Sequence, residues 1–151
     1  MSILNLENKR VLITGASRGF GSVCARELAG NGARLVLLAR SEEKLEEVRK
    51  SCKASGSHLS IPVDLVATEN IHSVIKRAEE HLGDIDVVLH VVGGGLGLRD
   101  PLLRSDELKK LFMFNVGVAA EINRIVIPGM KERKTGNLVH VASIASSEAT
   151  A

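Results

Sequence analysis

Short unbroken apolar runs, each bounded by turn signals, alternate along this chain with longer stretches of helical period. Val11-Leu12-Ile13 sits within a first run at 9–13, and Leu35-Val36-Leu37-Leu38 within a second at 34–39. Further runs fall at 58–63, 85–92 and 137–142. Apolar runs without polar alternation fit strands that are covered on both faces. Between them, 19–30, 42–53, 68–81 and 105–130 read as helices. Asn31-Gly32, Ser55-Gly56-Ser57, Gly83 and Gly136 supply the stops. Val23 and Leu28 are expected on the inner face of the first helix, and Leu45 and Val48 on that of the second. Ser41 is placed to cap the second helix, whose acidic start and basic end complement the helix dipole. Pro128 is expected to kink or end the last one. Five strands alternating with helices predict an α/β fold, a doubly wound parallel sheet in a single domain spanning 1–151.

The first strand runs into Thr14-Gly15-Ala16-Ser17-Arg18-Gly19-Phe20-Gly21, a glycine-punctuated turn that opens a helix. Glycines at 15, 19 and 21 let backbone N–H groups approach a ligand, and the helix end carries partial positive charge. A diphosphate suits such a turn. The spacing Gly-x3-Gly-x-Gly differs from Gly-x-Gly-x-x-Gly, and no Gly-Lys-Ser/Thr follows, so this is no Walker loop.

Composition narrows the field. A net charge of +2 with no Lys/Arg run gives no basis for a nucleic-acid partner. Neither cysteine, Cys24 nor Cys52, has metal-ligand spacing around it, so no metal site is expected and both read as thiols in a reducing compartment. Residues 1–6 carry no secretory signal, and no apolar run is expected to span a bilayer. The cytoplasm is the expected location, with no membrane partner.

Ligands in open α/β sheets lie beyond the carboxyl ends of the strands, at the switch in strand order. The five strands deliver to that edge Thr14 to Gly21, then Arg40, Asp64 with Leu65, His90 to Gly97, and Ser143. This set resembles the short-chain dehydrogenase/reductase family over essentially the whole chain. Thr14 to Gly21 matches its Thr-Gly-x3-Gly-x-Gly cofactor motif. Asp64 stands where the family's adenine-contacting acid stands, Asn115 where the central-helix Asn stands, and Ser143 where the Ser that orients the substrate oxygen stands. The resemblance implies a Rossmann-type nucleotide-binding domain and hydride transfer between a nicotinamide and a carbonyl or alcohol carbon. It assigns Ser143 and Asn115 to catalysis. To the cofactor it assigns Thr14, Gly15, Ser17, Arg18, Gly19, Phe20, Gly21, Arg40, Asp64, Leu65, His90 and Gly93. It also implies a possible homo-oligomer through the helix at 105–127.

Two departures stand out. The family's Asn-Asn-Ala-Gly is here His90-Val91-Val92-Gly93, with His90 as a stand-in for one lost polar contact. The family's Tyr-x-x-x-Lys falls about a dozen residues past Ser143, beyond Ala151, and the sequence contains no Tyr. A chain without that pair is expected not to turn over by the family's mechanism, since a serine hydroxyl is a poor proton donor at neutral pH. The sheet is therefore expected to be truncated after the fifth strand, the domain incomplete relative to the family. The alternative is a non-catalytic nucleotide-binding module. A ribose 2′-OH meets an acid at the end of the second strand, whereas a 2′-phosphate meets arginine. Arg40 at that position, with Arg18 nearby, gives NADP(H) over NAD(H).

Overall fold

The computed structural model describes residues 6–98, 100 and 102–144. Strands β1 (Arg10–Thr14), β2 (Arg34–Ala39), β3 (Leu59–Pro62), β4 (Val87–His90) and β5 (Asn137–His140) form one sheet in the order β3-β2-β1-β4-β5. Every neighbouring pair is parallel. The chain winds outward from β1 to β3, then returns to place β4 on the other side of β1. That reversal leaves a crevice between the carboxyl ends of β1 and β4.

Alternation along the strands divides the core into two layers. Leu12, Val36, Leu38 and Val88 face helices α3 (Ile71–Leu82) and α5 (Val118–Glu132). Val11, Ile13, Leu35 and Leu37 face α1 (Gly19–Gly30) and α2 (Glu42–Ser51). Leu45 and Val48 are the buried residues of α2, as the pattern predicts. Val23 is not inward: α1 buries Gly21, Ser22, Ala25 and Ala29, and Val23 is exposed. Small side chains along that stripe let α1 approach the sheet too closely for a larger inward residue.

The stretch at 105–130 is α4 (Ser105–Phe112), a π-helical turn over Met113–Gly117, then α5. Pro128 does not end α5, which continues to Glu132. The carbonyl that loses its donor belongs to Arg124, and both residues are exposed, so water can take the missing bond. Contrary to the sequence reading, Ser105–Glu132 holds a window of mean hydropathy 1.3, long and apolar enough by length and composition to cross a membrane. Here Val118, Ile122, Val126 and Met130 pack on the sheet. Beyond the end of β5, Val141 and Ile144 are exposed.

One buried histidine gives the fold a pH limit. His58 Nδ1 accepts the Leu35 N–H at 3.2 Å, while Nε2 lies 2.8 Å from the Lys53 carbonyl and donates to it. Burial pushes the His58 pKa down. The unfolded chain therefore binds a proton that the folded chain resists. Stability is full above the ordinary histidine pKa of about 6.5 and falls as pH drops below it. Urea midpoints should fall between about pH 7.5 and 5.5, and His58→Gln should remove part of that fall, the rest belonging to His90, which is buried and shifted the same way. An unchanged slope in the variant would assign the effect elsewhere.

Candidate functional site

The turn after β1 owes its shape to three glycines acting differently. Gly15 (φ +69°) and Gly19 (φ +53°) occupy the left-handed region that other residues rarely adopt. A Cβ on Gly15 would press on the Val92 N and Val91 C atoms at 3.2 and 3.3 Å, so this residue lets β1 close against the segment after β4. A Cβ on Gly21 would stand 2.3 Å from the Gly15 carbonyl oxygen, so its absence lets α1 start directly beneath the turn. Gly19 faces open space within 4 Å. Amides at the start of α1, without intrahelical acceptors, are the donors that a phosphate needs there.

Side chains tie this turn to its surroundings. Thr14 is fully buried, and its Oγ1 accepts the Val91 and Val92 N–H groups at 3.0 and 3.2 Å. Beyond Val92, the glycine crest is clamped by Asn115 from the π-helical turn. Its Oδ1 accepts the Gly94 N–H at 2.8 Å, and its Nδ2 donates to the Gly94 and Leu111 carbonyls at 3.0 and 2.9 Å. A Cβ on Gly93 would meet that amide oxygen at 3.0 Å.

Between these parts lies a cavity of about 690 Å³, open along the carboxyl edge of the sheet. Gly15, Ser17, Arg18 and Gly19 line it from the turn, Arg40 from just past β2, Asp64 and Leu65 from the segment after β3, and Gly93 from the segment after β4. Eight of the sequence-predicted residues thus meet around one space. Thr14 and Gly21 lie behind the wall and shape it. Phe20 is outside the wall, with its side chain exposed.

His90 does not line the cavity. It shares the sheet face of Val88 by alternation, which turns its ring towards α5, where Nε2 meets the Asn123 amide oxygen at 2.9 Å. Ser143 is exposed, three residues past the end of β5. Asp64 is held by an Asx turn, its Oδ1 accepting the Val66 N–H at 3.1 Å, and it does not cap α3.

The wall also holds a residue that the sequence reading omits. Lys44, in the first turn of α2, lines the cavity beside Ser41, whereas Glu42 and Glu43 of the same turn do not. Arg18, Arg40 and Lys44 thus present three cations to the space against the single carboxylate of Asp64. Among the described residues, none of these three side chains makes an ion pair, whereas Arg10, Arg49, Arg104, Arg124 and Arg133 all do. The cavity is therefore electropositive at the edge where β2 ends. In the sequence Lys44 stands beside Glu42, Glu43 and Glu46 with nothing to single it out, and the place of the first turn of α2 beside the cavity brings it in.

Comparison with known proteins agrees with this architecture. A family model described as short chain dehydrogenase matches residues 9–151. The chain is 33% identical over 147 residues to the ketoacyl reductase HetN of Nostoc sp. (strain PCC 7120), covering 97% of this chain and 51% of that protein. It is 34% identical over 150 residues to the 2,3-dihydro-2,3-dihydroxybenzoate dehydrogenase of Bacillus subtilis, covering 97% and 56%. A 3-dehydrosphinganine reductase of Danio rerio is 33% identical over 146 residues, covering 93% and 44%. The chain thus spans about half the length of these curated relatives. In fold, it superposes on a crystal structure of a short chain dehydrogenase from Bacillus anthracis with a TM-score of 0.86 at 24% identity, covering 97% of this chain and 60% of that one.

Proposed function

This chain belongs to the short chain dehydrogenase family, and on that premise we propose that it binds NADP(H) in preference to NAD(H) for hydride transfer to or from a small-molecule carbonyl or alcohol. The family binds nicotinamide nucleotides, and the cavity's donor set fits one. The open backbone at Gly19 and the helix start behind it suit a diphosphate. The observation that carries the preference is the electropositive end of the cavity, with Arg18, Arg40 and Lys44 facing it without ion-pair partners among the described residues. An NAD-type site keeps an acid at the end of the second strand to take the ribose hydroxyls, and Arg40 stands there instead. Guanidinium forks match phosphate oxygens, and an ammonium adds a point charge.

When bound, the nicotinamide supplies or accepts the hydride; the chain's residues hold and orient. Thr14 fixes the floor by gripping the Val91 and Val92 amides, and Asn115 holds the crest at Gly94. Ser143 is assigned to hydrogen-bond the reacting oxygen. Names among the relatives, a ketoacyl reductase and a dihydroxybenzoate dehydrogenase, support carbonyl and alcohol chemistry as the class.

The test is calorimetric titration of the full chain with NADPH and with NADH. NADPH should bind more tightly, and Arg40→Ala and Lys44→Ala should each weaken NADPH about tenfold, as expected for loss of one charge-assisted contact. NADH affinity should be nearly unchanged in both variants. Equal affinity for the two nucleotides in the wild-type chain would overturn the preference. A Lys44→Ala variant that binds NADPH like the wild type, beside a weakened Arg40→Ala, would remove Lys44 alone from the phosphate site.

A further inference from the structure

His90, Asn123 and His140 lie together beneath the strand end that leads to Ser143, and the nucleotide-binding reading uses none of them. His90 closes β4 and pairs in register with His140, which closes β5. Their rings stack with centroids 4.5 Å apart and planes 18° from parallel. Asn123 of α5 bridges the two, with Oδ1 2.9 Å from His90 Nε2 and Nδ2 3.4 Å from His140 Nε2. An amide oxygen only accepts and an amide nitrogen only donates. With the amide so oriented, His90 carries its proton on Nε2, and His140 offers a lone pair at Nε2. The remaining ring nitrogen of His90, Nδ1, is buried and meets no hydrogen-bond partner among the described residues.

We propose that His90, Asn123 and His140 form a proton-coupled positioning array, in which protonation of His140 reverses the Asn123 amide, moves His90 to its other tautomer and shifts the end of β5. Protonated His140 presents an N–H at Nε2, which cannot face the donor Nδ2 of Asn123. Rotating the amide restores both contacts: Oδ1 accepts from His140, and Nδ2 donates to His90 Nε2. His90 then gives up its Nε2 proton and takes one on Nδ1, so the array gains one proton in total and His90 stays neutral. The new Nδ1–H is a buried donor without an acceptor, which is costlier than the unused lone pair it replaces. The ring must move to find a partner, and the strand end moves with it. The His90 carbonyl accepts the Val141 N–H at 3.0 Å, two residues before Ser143.

The surroundings confine the charge to His140. Thr14, the register partner of His90 on β1, is neutral. On α5, Ile122 and Val126 are apolar, while Glu121 and Arg124 pair with each other at 2.9 Å. Among the described residues His140 is the titratable side chain stacked on His90, and burial opposes charge on His90 itself. His140 is exposed and open to solvent protons. The link to chemistry rests on the assignment of Ser143 under the proposed function; the array itself does not.

Histidine-selective ¹⁵N NMR on the full chain, titrated from about pH 8 to about pH 5, tests this directly. The expected result is an exchange of the protonated and unprotonated ring nitrogens of His90 at the midpoint where His140 becomes charged, with the Val141 amide moving at the same midpoint. In His140→Gln, which keeps an acceptor for Asn123 but does not titrate, His90 should hold its Nε2 proton throughout. The proposal fails if His90 keeps that proton while wild-type His140 titrates, or if Val141 moves with the same midpoint in His140→Gln. Should that variant not fold, the wild-type titration decides alone. Failure of NADPH to bind in the calorimetric titration would remove the nucleotide reading, and with it the role of Ser143, and leave the array standing.

Discussion

Gly21→Ala is expected to destabilise the protein by about 2–3 kcal/mol, the upper part of the usual range of about 1–3 kcal/mol for forcing extra atoms into a packed site, and to weaken NADPH binding at least about tenfold. Helix propensity points the other way, since alanine in a helix is favoured over glycine by about 1 kcal/mol. The steric effect wins because the new Cβ would lie 2.3 Å from the Gly15 carbonyl oxygen, which is backbone and cannot rotate away. Relief requires α1 to withdraw from the turn, which also moves the amides at its N-terminus. Gly30, at the other end of α1, provides the control: among the described residues nothing lies within 4 Å of its added Cβ. Gly30→Ala should therefore stabilise the chain, by about 0.5–1 kcal/mol through the unfolded state. Urea unfolding of both variants separates the two effects. If Gly21→Ala matched Gly30→Ala, the close packing of α1 under the turn would not be what that glycine provides.

The glycine motif was legible because its chemistry is local. Spacing marks Gly15, Gly19 and Gly21 as backbone that a ligand can approach; the structure gives them separate parts, with Gly15 and Gly19 left-handed, Gly19 open, and Gly21 packed beneath the turn. The strands were legible for a related reason: Leu35-Val36-Leu37-Leu38 has no polar residue to face water, so only a doubly covered strand fits it. Where α1 departed from expectation, the cause was distance to the sheet. Periodicity ranks Val23 by hydrophobicity, whereas Ala25 and Ala29 are inside because they are small.

Site residues were legible where a strand end delivers them and hidden where a helix curls over the edge. Arg40 and Asp64 follow their strands directly, and both line the cavity. Lys44 sits among Glu42, Glu43 and Glu46 in a stretch that reads as a solvated face, and no local pattern marks which of these charges turns inward. His90 failed in the opposite sense. Its place at a strand end suggested the cavity, yet strand alternation gives it the face of Val88 and a partner on α5, 33 positions away. Asn115 combines both cases. The sequence names it, but its grip on Gly94 depends on the π-helical turn at Met113–Gly117, which no apolar period announces.

The second large effect is expected at Thr14. Its hydroxyl oxygen accepts two backbone N–H groups, from Val91 and Val92, and thereby joins the end of β1 to the segment that bears the glycine crest. Thr14→Val keeps the shape and removes the acceptor, leaving two donors half-buried beside a methyl group. An unsatisfied buried donor costs about 1–3 kcal/mol, and partial exposure of both amides lowers that figure, so a combined loss of about 2–4 kcal/mol is expected. Thr14→Ser separates the hydroxyl from the methyl. It keeps both hydrogen bonds and gives up one buried methyl, at about 1 kcal/mol. The difference between the two variants is thus the worth of the clamp, free of the packing change. Nucleotide affinity should follow the same order, because the turn at Gly15 packs so close to Val91 and Val92 that an added Cβ would meet their atoms at 3.2–3.4 Å, and the Thr14 hydroxyl holds that segment in place. Urea midpoints and NADPH titrations on the three proteins provide the comparison. Equal losses in Thr14→Val and Thr14→Ser would mean that the methyl group, packed in a fully buried position, holds this junction and the hydroxyl does not.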